Sequence, residues 1–183
     1  MRRDLPLGQV ITMYTLTTTK TAAETGTNGL APSGKDGRGQ EIIVLFTTHA
    51  GTVAALKIAS RLSANLGARP KVLMLYEVPY TLPLGKRALP EGFLENLVRA
   101  LRRDFPEEIS MDLHLCRHPR QGLREVLLPH SLIVLGGRKR WWPTAEQRLA
   151  EFLHSSGHQV IFVDERDLGA ALAAANTSVH QDR

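Results

Sequence analysis

The stretch that decides the fold is Ile42-Ile43-Val44-Leu45-Phe46, an unbroken run of apolar residues. A strand with one face in water alternates apolar and polar residues, whereas a continuous run is typical of a strand that is covered on both faces. Similar runs occupy residues 72–76, 132–135 and 160–163. We therefore predict buried, parallel strands enclosed between layers of helices.

Helical patterns separate these runs. Apolar residues spaced by three and four at Ala55, Ile58, Leu62 and Leu66 predict a helix with Thr52 as its N-cap and Gly67 after its end. A second helix follows Pro90, and a third is expected over residues 121–128. Thr144 and Gln147 have the spacing of a capping box, which predicts that a fourth helix starts there.

The remaining strand has a different pattern. Ile109, Met111, Leu113 and Leu115 alternate with the polar or small residues Ser110, Asp112, His114 and Cys116. This period of two predicts one less buried face and favours an edge position. The predicted fold class is therefore α/β, a single doubly wound, Rossmann-like sheet of five parallel strands in the order 3-2-1-4-5, with helices on both faces.

Composition divides the 183 residues into three segments. Residues 1–40 are rich in Thr and Gly and poor in large apolar side chains, so we predict a flexible N-terminal arm whose removal leaves the thermal midpoint almost unchanged. A short strand between Val10 and Leu16 is the alternative. Residues 41–166 form the predicted α/β domain, and residues 167–183 a C-terminal tail.

The overall composition excludes several classes of protein. Apolar residues make up 43% of the chain and the formal net charge is only +5, which is typical of a globular domain. The single cysteine excludes an internal disulfide and a zinc site built from four thiolates. No apolar run reaches the length of a membrane span and no secretory signal is present, so we expect a cytoplasmic protein with no membrane partner.

Motifs of common enzymes are absent from the sequence. We find no dinucleotide-binding Gly-x-Gly-x-x-Gly after the first strand, no P-loop and no Gly-x-Ser-x-Gly elbow. Cys116 and His114 share a strand face, and two His pairs, His114 with His118 and His154 with His158, have a spacing of four. Lone pairs of this kind are more often ordinary surface or core residues. We therefore predict no enzyme activity and no metal site.

The most unusual segment is Gly136-Gly137-Arg138-Lys139-Arg140-Trp141-Trp142. In the predicted order, strands 1 and 4 meet at the switch point, where ligands bind beside the carboxyl ends. Glycine N–H groups and the cations Arg138 and Lys139 would attract an anion there. We favour a solvated basic loop with Trp142 packed under the following helix, and the anion site is the alternative. The candidate site consists of Thr47, Thr48, Val72, Gly136, Gly137, Arg138 and Lys139.

Several of these segments resemble the universal stress protein family. They are Ile42-Ile43-Val44-Leu45-Phe46 with the helix ending Asn65-Leu66-Gly67-Ala68, Val72-Leu73-Met74-Leu75-Tyr76-Glu77-Val78, and Ser131-Leu132-Ile133-Val134-Leu135-Gly136-Gly137-Arg138. The resemblance implies the 3-2-1-4-5 sheet and, commonly, a homodimer through strand 5, here Val160, Ile161, Phe162 and Val163. Many members of the family bind ATP, and Val72 matches the position that touches adenine.

This chain departs from the family where ATP is held. Thr47 stands at the position of the family's Asp after strand 1, and Lys139 replaces the second glycine of the motif after strand 4. The final Gly-[Ser/Thr] pair of that motif falls on Leu149 and Ala150. The resemblance with these changes implies a degenerate member, a non-catalytic, dimeric module that acts through contact with an unidentified protein partner and lacks standard ATP binding. The alternative is an adenine-nucleotide-binding stress protein with a remodelled phosphate loop that takes ATP or AMP. Nucleic-acid binding by the basic loop is the hypothesis with the least support in the sequence.

Overall fold

The computed structural model describes residues 11–17, 41–85 and 88–166. The strands are β1 (Ile11–Thr17), β2 (Glu41–Leu45), β3 (Arg69–Glu77), β4 (Ser110–Cys116), β5 (Leu132–Gly137) and β6 (Gln159–Asp164). The helices are α1 (His49–Leu66), α2 (Phe93–Asp104), α3 (Pro119–Val126) and α4 (Ala145–Ser155). Strands and helices alternate from β2 onward, as a doubly wound fold requires.

All six strands form one sheet in the order β1-β4-β3-β2-β5-β6. The five strands β4, β3, β2, β5 and β6 run parallel. They are the third, second, first, fourth and fifth strands of the sequence analysis, so the predicted order 3-2-1-4-5 is confirmed. The order reverses between β2 and β5, which is where the switch point was expected.

The position of the third predicted strand at an edge is wrong. β1 pairs with β4 in antiparallel direction, from Ile11 opposite Leu115 to Thr17 opposite Ser110. β1 covers this edge, and residues Met111 to Cys116 are all buried despite their alternating pattern. The interpretation as a flexible arm does not hold for residues 11–17, which form the short strand named as the alternative. The rest of the predicted arm and the predicted tail at 167–183 lie outside the described residues.

Helices cover both faces of the sheet. One apolar layer joins Ile42, Val44 and Val134 of the sheet with Leu56 of α1 and Leu101 of α2. The opposite layer joins the sheet to α3 and α4, with Leu45, Leu73, Leu135, Leu123 and Leu153 among its members. Each central strand therefore has apolar contacts on both faces, which explains the unbroken runs in the sequence.

The ends of the helices follow local chemistry, with one correction. Thr48, not Thr52, is the N-cap of α1, and its side chain accepts a hydrogen bond from the Gly51 N–H. Gly67 ends this helix in the left-handed conformation, as predicted. The capping box of Thr144 and Gln147 at α4 is confirmed, because both of its reciprocal hydrogen bonds are present. Among the described residues, no helix has the length and apolar character needed to cross a membrane.

Candidate functional site

A cleft of about 330 Å³ lies at the carboxyl ends of β2, β5 and β6, where the strand order reverses. The first turns of α1 and α4 and the segment after β5 form its walls. Its lining residues are Thr48, Ala50, Arg138, Arg140, Thr144, Glu146 and Glu165. The position agrees with the general rule for doubly wound sheets, in which ligands approach the carboxyl edge beside the switch point.

The floor of the cleft is closed by backbone packing between α1 and β5. A Cβ atom added to Gly136 would lie 2.0 Å from the Gly51 carbonyl oxygen, and one added to Gly51 would lie 2.5 Å from the Gly136 oxygen. The Thr47 hydroxyl donates a hydrogen bond of 2.6 Å to that same Gly136 oxygen. The absence of a side chain at Gly136 therefore allows α1 to pack closely against β5. The Thr47 hydrogen bond connects the ends of β2 and β5.

Gly137 has a similar structural role. It pairs with Asp164 inside the sheet, and a Cβ atom at this position would meet the Glu146 Cγ at 2.9 Å. The Glu146 side chain thus packs directly over this glycine. Both glycines of the pair are buried, so neither presents the exposed N–H groups that the sequence suggested for an anion.

The charges in the cleft are balanced. Arg138 pairs with Glu165 through its Nε, and this hydrogen bond raises the pKa of the guanidinium above its ordinary value. Glu165 is largely buried, with 12% of its side chain exposed, whereas Arg138 remains 61% exposed. Arg140 and Glu146 add one charge of each sign to the lining. The net charge of the lining is therefore zero.

The structure brings together only part of the site expected from the sequence. Thr48 and Arg138 line the cleft, whereas Thr47 and Gly136 close its floor. Val72 is fully buried in the apolar layer beneath α1 and does not line the cleft. Lys139 is exposed on the loop that follows β5 and is not part of the lining.

Sequence reasoning missed the two carboxylates, Glu146 and Glu165. Glu165 directly follows the last strand, and the carboxyl ends of parallel strands meet at one edge of the sheet. The location of Glu165 could therefore have been predicted from the sequence. Glu146 lies in the first turn of α4, where a carboxylate also complements the helix dipole. Nothing in the sequence indicated that this side chain covers Gly137.

The packing expected for Trp142 is wrong. Trp142 is 66% exposed and Trp141 is 88% exposed, so neither indole lies under α4. The two rings pack on each other with centroids 4.7 Å apart and an angle of 50° between their planes. Lys139 and Arg140 are exposed beside them, which agrees with the prediction of a solvated basic loop.

A second cavity of about 400 Å³ lies between α3 and α4 and is lined by His118, Pro119, Arg120, Ala145 and Leu149. The guanidinium groups of Arg120 and Arg124 stand 5.3 Å and 5.2 Å from the centre of the Phe152 ring. Both are cation–π distances, so these two cations pack along α4.

The His and Cys residues considered in the sequence analysis do not form a catalytic or metal site in the described part of the structure. His114 is buried in β4, whereas the side chain of His118 lies at the start of α3 and contacts the Tyr80 hydroxyl at 2.8 Å. Burial, with Glu77 and Glu125 nearby, raises the pKa of the Cys116 thiol to about 11, which opposes nucleophilic use. Across the described residues, no group of three or more His, Cys, Asp or Glu side chains could hold a metal ion.

The comparisons with known proteins include a structural similarity. No protein-family model and no curated protein matches the sequence. Among solved structures, a universal stress protein from Archaeoglobus fulgidus is similar, with a TM-score of 0.46 and 19% identity. The similarity covers 68% of this chain and 93% of that protein. The assignment of the α/β fold to this chain rests on its own strand order and on the helices on both faces of the sheet.

Proposed function

We propose that this chain is a non-catalytic module of the universal stress protein type, which acts by contact with protein chains, including a second copy of itself, and does not bind ATP in the manner standard for that family. The strand order and the segments around residues 42–46 and 131–138 support the type of module. The geometry of the cleft supports the loss of standard ATP binding.

The observation that carries the proposal is the closure of the junction between β2 and β5. A phosphate-binding loop needs free backbone N–H groups and space for the anion above the strand ends. Here the Gly51 N–H is used by the Thr48 cap, and the Gly136 backbone touches α1. Gly137 lies under the side chain of Glu146. At these three glycines, contacts within the protein therefore take the place that phosphates would need.

Electrostatics oppose a polyanion in the same cleft. A phosphate charge about 4 Å from a carboxylate is repelled by roughly 1 kcal/mol in water and by about 4 kcal/mol in a partly shielded cleft. Glu146 and Glu165 supply two such carboxylates, and the Glu165 carboxylate already neutralises Arg138. The net attraction that a triphosphate needs is therefore missing.

The outer strand supports contact with a second copy. β6 pairs with β5, and Val160, Ile161, Phe162 and Val163 are only half-buried. An apolar strand at the edge of a sheet offers unpaired backbone groups, which proteins normally cover by pairing. A second copy that pairs along β6 would cover them.

The alternative function, a remodelled nucleotide site, is favoured by one observation. The cleft volume of about 330 Å³ lies within the range of small-ligand pockets, and Arg138, Arg140 and the Thr48 hydroxyl line it. A monophosphate such as AMP carries less charge than ATP and demands fewer donors. AMP is therefore the nucleotide that best fits this alternative.

A native mass spectrum of the purified full-length protein, followed by calorimetric titration with ATP and AMP, tests the proposal. We expect a dimer mass without co-purified nucleotide, and no binding of either ligand at micromolar concentrations. The double variant Glu146→Gln with Glu165→Gln removes both carboxylates and frees Arg138, so it should gain weak affinity for ATP.

The matched control is Glu91→Gln with Glu151→Gln, which makes the same charge change at exposed positions outside the cleft. This control should leave nucleotide affinity unchanged. Tight stoichiometric binding of ATP by the wild type would overturn the proposal. Tight binding of AMP alone, abolished by Arg138→Glu, would establish the alternative function.

A further inference from the structure

We infer that the face of the domain at the carboxyl ends of the parallel strands binds the surface of an anionic lipid bilayer. Trp141 and Trp142 would insert into the headgroup region. The inference is independent of the proposed function, because it uses the exposed side chains from Lys139 to Trp142, of which only Arg140 also lines the cleft, and it needs no ligand in the cleft. It concerns adsorption to a membrane surface.

Exposed apolar side chains are concentrated at this end of the molecule. The described residues contain six exposed large hydrophobic side chains, and four of them follow the carboxyl ends of strands: Tyr80, Leu82, Trp141 and Trp142. The other two, Leu66 and Leu128, precede strands and so lie separately at the opposite end. Aromatic residues gathered at one end of a domain present an apolar, amphipathic surface, and Trp and Tyr are the residues enriched at membrane interfaces.

The loop that carries Tyr80 and Leu82 is held in place, and the loop after β5 is anchored at its first residue. The Arg117 guanidinium donates hydrogen bonds to the carbonyl oxygens of Val78 and Leu82, at 2.9 Å and 2.7 Å, and lies 5.1 Å from the centre of the Tyr80 ring. On the other loop, Arg138 is anchored by Glu165 at the end of β6. A preformed surface loses less conformational entropy on binding than a mobile one.

Charge points to an anionic partner. The segment from Arg138 to Trp142 has three cations and no carboxylate. Arg138 is paired with Glu165, which leaves the exposed Lys139 and Arg140 next to the indoles. Glu146 and Glu165 belong to the cleft lining, and the exposed Glu77 ends β3, on the side of Tyr80, where the cation Arg117 also lies. Cations beside an aromatic anchor are the combination that anionic lipid headgroups attract.

The geometry of the indoles favours a bilayer over single-stranded nucleic acid. Base stacking needs an open ring face and a basic groove that follows the phosphates. Here the two indoles pack against each other at 4.7 Å, so they form one compact apolar projection with no gap for a base between them. The adjacent groove is the cleft, whose lining has a net charge of zero and so lacks the basic character that a phosphate backbone requires.

Intrinsic fluorescence gives a direct test, because Trp141 and Trp142 are the only tryptophans of the chain. We would mix the full-length protein with phosphatidylcholine vesicles that contain phosphatidylglycerol, and separately with pure phosphatidylcholine vesicles. We expect a blue shift of the emission, quenching by lipids with brominated acyl chains, and co-sedimentation, all stronger with the anionic vesicles. Adsorption by charge alone would give co-sedimentation without quenching, and that result would overturn the insertion of the indoles.

Two pairs of variants separate the contributions of apolar insertion and charge. Trp141→Ser with Trp142→Ser should abolish co-sedimentation, whereas Leu128→Ser, at an apolar residue of similar exposure at the opposite end, should not change it. Lys139→Gln with Arg140→Gln should weaken binding to anionic vesicles about 30-fold, since each cation near an anionic bilayer contributes a factor of about five. Arg102→Gln with Arg103→Gln, on the exposed side of α2, is the control for charge.

Three results would overturn the inference. One is the absence of both blue shift and co-sedimentation with anionic vesicles at low salt, where electrostatic attraction is strongest. Another is equal binding to neutral and anionic vesicles, which would remove the role of Lys139 and Arg140. A third is a fluorescence change with single-stranded RNA but not with vesicles, which would assign the loop to nucleic acid.

Discussion

The two sides of the parallel sheet, at β4 and at β6, differ in strand pairing and in burial. β4 is covered by the antiparallel strand β1, and its residues from Met111 to Cys116 are buried. β6 pairs with β5 only, within the described part of the chain, and Val160 to Val163 stay half-buried. The covered edge encloses polar groups such as Asp112 and His114, whereas the other edge presents apolar ones. One edge is thus covered by a strand of the chain itself, whereas the outer side of β6 has no paired strand among the described residues.

Removal of β1 should have the largest effect, because it would leave the β4 edge of the sheet without a neighbouring strand. Deletion of residues 1–17 should destabilise the domain by roughly 2–5 kcal/mol, because the hydrogen bonds of the β1–β4 ladder are lost and Asp112 and His114 become accessible to water. This replaces the expectation that truncation leaves the thermal midpoint almost unchanged. Thermal unfolding followed by circular dichroism measures the effect. Deletion of residues 1–9, which keeps β1, is the control, and equal midpoints for the two deletions would contradict the prediction.

Disruption of β6 tests the opposite edge. Phe162→Lys places a charge on the half-buried outer strand, so we expect the dimer to dissociate to monomers in light scattering while the circular dichroism spectrum of the domain is retained. Phe162→Leu keeps the apolar character and should remain dimeric. A wild-type protein that is strictly monomeric at high micromolar concentration would refute the dimer through β6.

The reactivity of the single cysteine tests the burial at the end of β4. Cys116 is 1% exposed, and its pKa is raised to about 11, so at pH 8 only about one thiol in a thousand is ionised. Its Sγ lies beside Tyr76 of β3 and Gly122 of α3, beyond the described pairing of β1. We expect slow labelling by a disulfide reagent in the folded wild type and at least tenfold faster labelling in urea. Equal rates in the two conditions would contradict the burial of this thiol.

The smallest expected effect is a change in the pH dependence of stability. Burial, the largest cause, and Lys71 lower the pKa of His114, while Asp112 opposes them. A lowered pKa in the folded state means that the unfolded chain binds the proton more readily. This contribution to stability is therefore present above the ordinary pKa of about 6.5 and is lost as the pH falls below it.

The variant His114→Gln should consequently lose less of its stability between pH 7 and pH 5 than the wild type. Urea unfolding at a series of pH values measures this slope. His154→Gln, at an exposed position of α4, is the control and should keep the wild-type slope. Identical slopes for the His114 variant and the wild type would contradict the assignment.

The candidate site was predictable in location but not in chemistry. The switch point between β2 and β5 follows from strand order, and Thr48 and Arg138, two of the residues expected there, line the cleft. The roles of Gly136 and Gly137 were not predictable, because a glycine that exposes an N–H group and a glycine that admits a neighbouring atom look the same in a sequence. Only the 2.0 Å separation between a Cβ atom at Gly136 and the Gly51 oxygen distinguishes them.

The sequence by itself determined the five parallel strands, their order and the capping box at Thr144, because these depend on local periodicity and on rules of chain connection. Only the tertiary structure decided which strand lies beside each edge of the sheet and which charged side chains pair with each other. Pairing of β1 with β4, the contact of Arg138 with Glu165 and the exposure of Trp142 join or separate residues that are distant in the chain. Such contacts depend on three-dimensional distance, for which the spacing of residues along the chain carries no direct signal.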